Sequence, residues 1–221
     1  MNGIKLVSAV IVAAALCVST AKVNAMTVNW SANGGTAIAL NDGLTGVPEG
    51  DAVYLGIFKN NLSNAAITAL WTGNANAATD ILNNFNIFLQ DVMGDNGVGV
   101  GGFGANNTIS PGLNFFTSNM FLIVVNNATG PGGVSQIGVW NGNMAFPASD
   151  GAAAGSIDAD NLLLANTLVG NYISGGWQGP TDWFSTGANE LVLANIVPEP
   201  STYMLVAMGL LGAWGLRRRR S

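Results

Sequence analysis

The sequence predicts a mainly β protein: a single antiparallel β-sandwich with a short helical insertion, flanked by an N-terminal signal helix and a C-terminal transmembrane helix. Three observations predict it. Residues 26–197 hold 25 asparagines and 26 glycines, which tolerate positive φ and mark turns. Between the turns lie short runs of β-branched and aromatic residues, the composition of strands. Longer uncharged apolar runs, over 6–18 and 202–216, sit near the two ends of the chain.

In chain order, Lys5 precedes the apolar run 6–18, and Val23-Asn24-Ala25 follows it. That is the three-part pattern of a secretory signal peptide, with cleavage expected after Ala25. The run covers about 20 Å as a helix, short of a hydrocarbon core of about 30 Å. The one cysteine, Cys17, falls inside this segment, so residues 26–196, the expected secreted domain, contain no thiol and no disulfide. Strands are expected over 26–30, 36–40, 52–58, 85–89, 120–126, 136–140, 166–173 and 190–196. The stretches 52–58 and 120–125 are nearly continuous apolar runs, as central strands require. Asn33-Gly34, Asp42-Gly43, Asn96-Gly97 and Asn141-Gly142 are the expected turns. Residues 63–89 break the pattern, with Ile67, Leu70, Ile81, Leu82, Phe85 and Phe88 at three- and four-residue spacings. At least one short helix is expected there, with Asp80 as the cap of a helix starting at Ile81.

Charge excludes some partners. Residues 26–197 hold eleven acids against one base, Lys59, a net charge of −10. Nucleic acid is repelled by such a surface. The chain has no histidine, so neither a Ser-His-Asp triad nor a Cys/His metal site can form. A Ser-Lys dyad would need Lys59, which follows a central strand and precedes an Asn-rich loop. Glycoside hydrolysis needs a pair of carboxylates, and the acids here form no recognisable motif. Asp158-Ala159-Asp160-Asn161 begins like a calcium loop, but Leu162 stands where a third oxygen belongs. Gly97 to Gly102 has GxGxxG spacing, yet Phe103 to Asn107 reads as a loop and not as the helix a nucleotide fold needs. The expectation is therefore a non-enzyme with no cofactor and no metal.

The tail, residues 197–221, reads Val197, Pro198, Glu199, Pro200, then Ser201, then the uncharged span 202–216, then Arg217, Arg218, Arg219 and Arg220. Two prolines flanking a glutamate keep the backbone extended. The span is about 22 Å long as a helix, and the arginines act as a stop signal on the cytoplasmic side. In motif, apolar helix, basic cluster and position, this segment resembles the PEP-CTERM sorting domain. The resemblance implies export in bacteria that make exopolysaccharide, a transient hold in the inner membrane, and recognition by the membrane enzyme exosortase with cleavage near the Pro-Glu-Pro motif. It also implies a final place at the cell surface or in the extracellular matrix, and it carries no information on residues 26–196.

Two functions fit the rest. One is a structural surface or matrix protein. The alternative is a carbohydrate-binding module for exopolysaccharide, resting on Trp177 and Trp183. These flank a Gly-Pro turn with Gln178, Thr181 and Asp182 between them, offering aromatic plates for a pyranose face and polar groups for hydroxyls. The competing role for these tryptophans is to plug the end of the sandwich.

Overall fold

The computed structural model describes residues 26–32, 35–74, 76–94, 101–109, 115, 117–127, 134–146, 156–178, 184 and 187–196. Several expectations lie outside them: the signal segment with Ala25; Val197 to Pro200, the span 202–216 and Arg217 to Arg220; Trp183; the turns at Asn33-Gly34 and Asn96-Gly97; and Gly97 to Val100. Among the described residues no helix is long and apolar enough to cross a membrane.

The described chain is mainly β, with mostly antiparallel sheets. The largest sheet is built on β3 (Ala52–Phe58) and β6 (Asn119–Asn127). β4 (Phe85–Val92) flanks β3, and β7 (Val134–Ala145) flanks β6. Side chains alternate across this sheet. Val53, Leu55, Ile57, Met120, Leu122 and Val124 join one core cluster, while Phe58, Phe121, Ile123 and Val125 join another. Both faces are therefore apolar, which is why the two runs read as continuous.

Different elements cover each face. The first face packs against Trp30 of β1 (Met26–Ala32), Ile38 of β2 (Thr36–Ala39), Phe103 of β5 (Phe103–Ile109) and Leu191 of β11 (Asn189–Val192). The second packs against Ile67 of α1 (Asn64–Trp71) and Ala78 and Ile81 of α2 (Ala77–Asn83). The helical insertion is thus the cover of the second face. Ser63 caps α1, its Oγ accepting from Ala66 N at 3.2 Å. Asp80 does not cap a helix. α2 starts four residues before Ile81, with Asn76 at its cap position, and the Asp80 carboxylate accepts from Asn74 Nδ2 at 2.7 Å. Phe85 and Phe88 share the helical spacing by coincidence and stand in β4.

Three further expectations are corrected. Phe103 to Asn107 is not a loop but part of β5, paired along its whole length with β1. Its Gly and Asn residues have low strand propensity, and the ladder to β1 overrides it. Asn141-Gly142 makes no hairpin turn. It lies within β7, where β6 advances from Asn119 to Phe121 while β7 covers Ala145 to Asn141. Asn143, at φ 51°, and the bond from its N–H to Asn141 Oδ1 at 2.8 Å form this irregularity. Finally, 166–173 is two strands. β9 (Thr167–Val169) pairs with β7, and β10 (Asn171–Ile173) pairs with β11. Between them Gly170 has φ 103°, and a Cβ there would lie 2.3 Å from Val192 O. The chain crosses back at Leu193, between β11 and β12 (Ala194–Asn195), which returns to β7. A smaller set completes the topology: β8 (Ser156–Asp158) runs parallel to β1, and β2 runs parallel to β11.

Glu190 of β11 is fully buried, and neither carboxylate oxygen has a hydrogen-bond partner. Burial, and then the charge of Asp42, raise its pKa above the usual glutamate value. Asp42 is shifted down instead, because its carboxylate accepts from Leu44 N, Thr45 N and Thr45 Oγ1.

Two predictions follow from this packing. Gly170→Ala should destabilise the fold by about 2 kcal/mol or more, read as a lower urea midpoint, since the φ is unfavourable and the Val192 carbonyl cannot retreat. Glu190→Gln should act in the other direction. A raised carboxyl pKa favours the folded state below the ordinary glutamate range, and that contribution is lost as pH rises through the raised value. At neutral pH the Gln variant should therefore be more stable, and should lack this part of the pH dependence. Urea midpoints measured from acid to neutral pH check both points, and a less stable Gln variant at neutral pH would contradict the assignment.

Candidate functional site

β3 and β6 pair antiparallel only as far as Gly56 and Phe121. Beyond that point β3 stays with β4 down to the Phe58–Phe85 pair, and β6 begins with β7 at Asn119–Ala145. The central sheet therefore forks at this end. A cavity of about 740 Å³ opens there, within the roughly 300–1,000 Å³ range of small-molecule sites.

One wall is the turn that leaves β3. Lys59, Asn60 and Asn61 form a single 3₁₀ turn, with Asn60 at φ 56° and Asn61 at φ 49°. Asparagine is one of the few residues that accept this conformation. Lys59 N donates to Asn84 O at 2.8 Å and its Nζ donates to Asn83 O at 2.6 Å, which fixes the turn to the end of α2. The other wall is the segment entering β6. Thr117 has φ 60°, a costly conformation for a β-branched residue. Thr117 N donates to Phe146 O at 3.1 Å and Phe146 N donates to Ser118 O at 2.8 Å. Behind them Phe88, Phe115 and Phe146 meet edge to face, with centroids 4.8–5.4 Å apart. Ser118 Oγ donates to Asn61 Oδ1 across the cavity at 3.4 Å. Three of the four non-glycine residues of positive φ among the described residues line this one cavity.

The residues singled out by sequence sit elsewhere. Trp177 is fully buried, its ring 5.7 Å from that of Phe184 and packed with Ala37, Ala39 and Val192. It fills the interior beside β2 and β11, so its faces are not open to a sugar ring, which corrects the expectation of a glycan contact there. The Gly-Pro turn and Trp183 lie outside the described residues. Asp158 Oδ1 accepts from Asp160 N and Asp160 Oδ2 accepts from Gly35 N, both at 3.0 Å, so these carboxylates hold a turn and a loop. Among the described residues no group of three His, Cys, Asp or Glu side chains could hold a metal ion. The cavity was missed because its walls come from two segments far apart in sequence, in a chain where Asn, Ser and Thr occur throughout. Its only local signal is Lys59, the single base of this region, standing just past a central strand.

Residues 197–220 match the family model for the PEP-CTERM protein-sorting motif. The match covers that segment alone. Comparison with curated proteins finds no match. Nor does any solved structure match.

The placement of Trp177 carries a direct consequence. Trp177→Ala should cost about 3–5 kcal/mol, as for other large buried side chains, while Trp177→Phe should cost clearly less. Denaturant midpoints check this. A Trp177→Ala variant as stable as the wild type would mean that the ring is not part of the core.

Proposed function

We propose that the chain is a non-enzymatic exported protein, carried to the cell surface or extracellular matrix through its C-terminal segment. The match of residues 197–220 to the PEP-CTERM protein-sorting motif carries this reading. Residues 1–25 act as a signal peptide cleaved after Ala25. Residues 26–196 are the cargo, a β-sandwich whose central sheet is covered by the smaller sheets on one side and by the helical insertion on the other. Residues 202–216 hold the protein in the inner membrane until exosortase cuts near Pro198-Glu199-Pro200.

Physical points support each step. The span is shorter than the hydrocarbon core, so its hold is weak. Four arginines cannot cross cheaply, at about 2.5 kcal/mol or more each at the bilayer centre, so the body is left outside. Paired prolines keep the motif extended and open to a protease. A non-enzymatic role is supported by the lack of histidine and by Lys59, whose ammonium is bound to a backbone carbonyl. The two-tryptophan route to exopolysaccharide binding draws no support from Trp177, which is buried.

Replacing Pro198, Glu199 and Pro200 together with alanine should leave an uncleaved, heavier form in the inner-membrane fraction. Fractionation and mass spectrometry of the wild type and the variant check this. A variant that reaches the surface at the wild-type mass would overturn the reading.

A further inference from the structure

The fork cavity has a composition that selects its ligand. Its polar lining includes the side-chain amides of Asn60, Asn61, Asn86 and Asn119 and the hydroxyls of Thr117 and Ser118. An amide both donates and accepts, and so does a hydroxyl. Among the described residues, Asn61 and Ser118 hydrogen-bond each other, and the Asn60, Asn86 and Asn119 amides are unspent. Some asparagines elsewhere are spent on the protein itself. Asn74, Asn84, Asn126, Asn141 and Asn166 all bond to backbone or side-chain groups of the fold. An apolar ligand would strand the unspent amides, which costs about 1–3 kcal/mol for each group left unpaired.

Charge narrows the choice further. Among the described residues the cavity lining holds no carboxylate, and the cation there, Lys59, already donates to Asn83 O. Around it the region 26–197 carries a net −10, which repels polyanions. The walls are held before any ligand arrives: Lys59 ties one turn to α2, and the Phe88, Phe115 and Phe146 rings back the other. The left-handed backbone of Thr117 is a costly conformation held in place at this cavity, beside Asn60 and Asn61, which accept theirs. We propose that the cavity at the β3–β6 fork binds a neutral polyhydroxylated ligand, a short run of uncharged sugar residues whose hydroxyls pair with these amides and hydroxyls. The proposal stands apart from the sorting reading, since binding tests the one and fractionation the other.

The test uses the full chain in a detergent without a sugar headgroup. The probes are oligosaccharides cut from neutral glucan, mannan and xylan, with oligogalacturonate as the acidic comparison, and calorimetry gives the affinity. At least one neutral oligomer should bind in the micromolar to millimolar range, and more tightly than the acidic one. The variant Asn60→Gly/Asn61→Gly/Thr117→Gly removes three side chains at positions where glycine accepts the backbone, so it should keep its unfolding midpoint and bind at least about tenfold more weakly. Should that variant fail to fold, Asn86→Ala on β4 should show the same direction of loss. No binding of any neutral oligomer up to roughly 10 mM overturns the proposal, as does equal or tighter binding of oligogalacturonate. So does wild-type affinity in a folded variant.

Discussion

β3 and β6 present apolar side chains to both faces of their sheet, and an apolar face has to be covered. The remaining elements answer that requirement. On one side Trp30, Ile38, Phe103 and Leu191 come from four strands of two smaller sheets. On the other, Ile67, Ala78 and Ile81 come from a pair of short helices inserted between β3 and β4. The insertion is placed where the chain has just left one central strand and has to return beside it. β7 then links the layers. Its outer edge pairs with β9 along one part and with β12 along another, and both strands continue into the smaller sheet through Gly170 and Leu193.

The fork follows from the same arrangement. Past Gly56 the chain has to turn out of β3 toward α1, while β6 arrives from the Thr117 turn and is held by β7. The two strands part because each is committed to its other neighbour. Such a parting in the middle of a sheet would normally be filled by side chains. Here its floor is apolar, with Phe58 and Phe121 fully enclosed, and its rim is amide and hydroxyl. The aromatic cluster behind Thr117 rigidifies one rim, and the Lys59 ammonium fixes the other.

What the sequence revealed depended on whether a feature was local. Continuous runs at 52–58 and 120–125 identified the central strands, because burial on both faces leaves a signal within each run. The amphipathic spacing after Ser63 identified the insertion, although period alone put Phe85 and Phe88 on the wrong kind of element. β5 was illegible because Gly104, Asn106 and Asn107 look like loop residues, and their strand conformation is dictated by β1. Asn141-Gly142 has the dipeptide of a hairpin turn and serves as a bulge, a distinction that exists only relative to β6. The cavity was illegible for a similar reason. An asparagine that marks a turn and one that lines a site have the same letter, and only the fold shows that Asn60 and Asn119 lie on facing walls.

The tail and the domain make separate physical demands, which explains why one was readable and the other was not. A sorting signal has to be recognised as a linear segment, so its information is concentrated in consecutive residues, and a family model finds 197–220 with no help from the rest of the chain. A cargo domain has to be folded, and its information is spread over pairings that span most of the chain, such as Ala39 with Val192 or Trp30 with Ile157. The charge is divided in the same way. Eleven of the twelve acids belong to the domain, and the arginines are gathered beyond the apolar span. Cutting between the two would take the whole arginine cluster from the body and leave its acids in place. A domain released in that way would be more anionic than the whole chain, and its field would favour a neutral ligand over a polyanion at the proposed fork site.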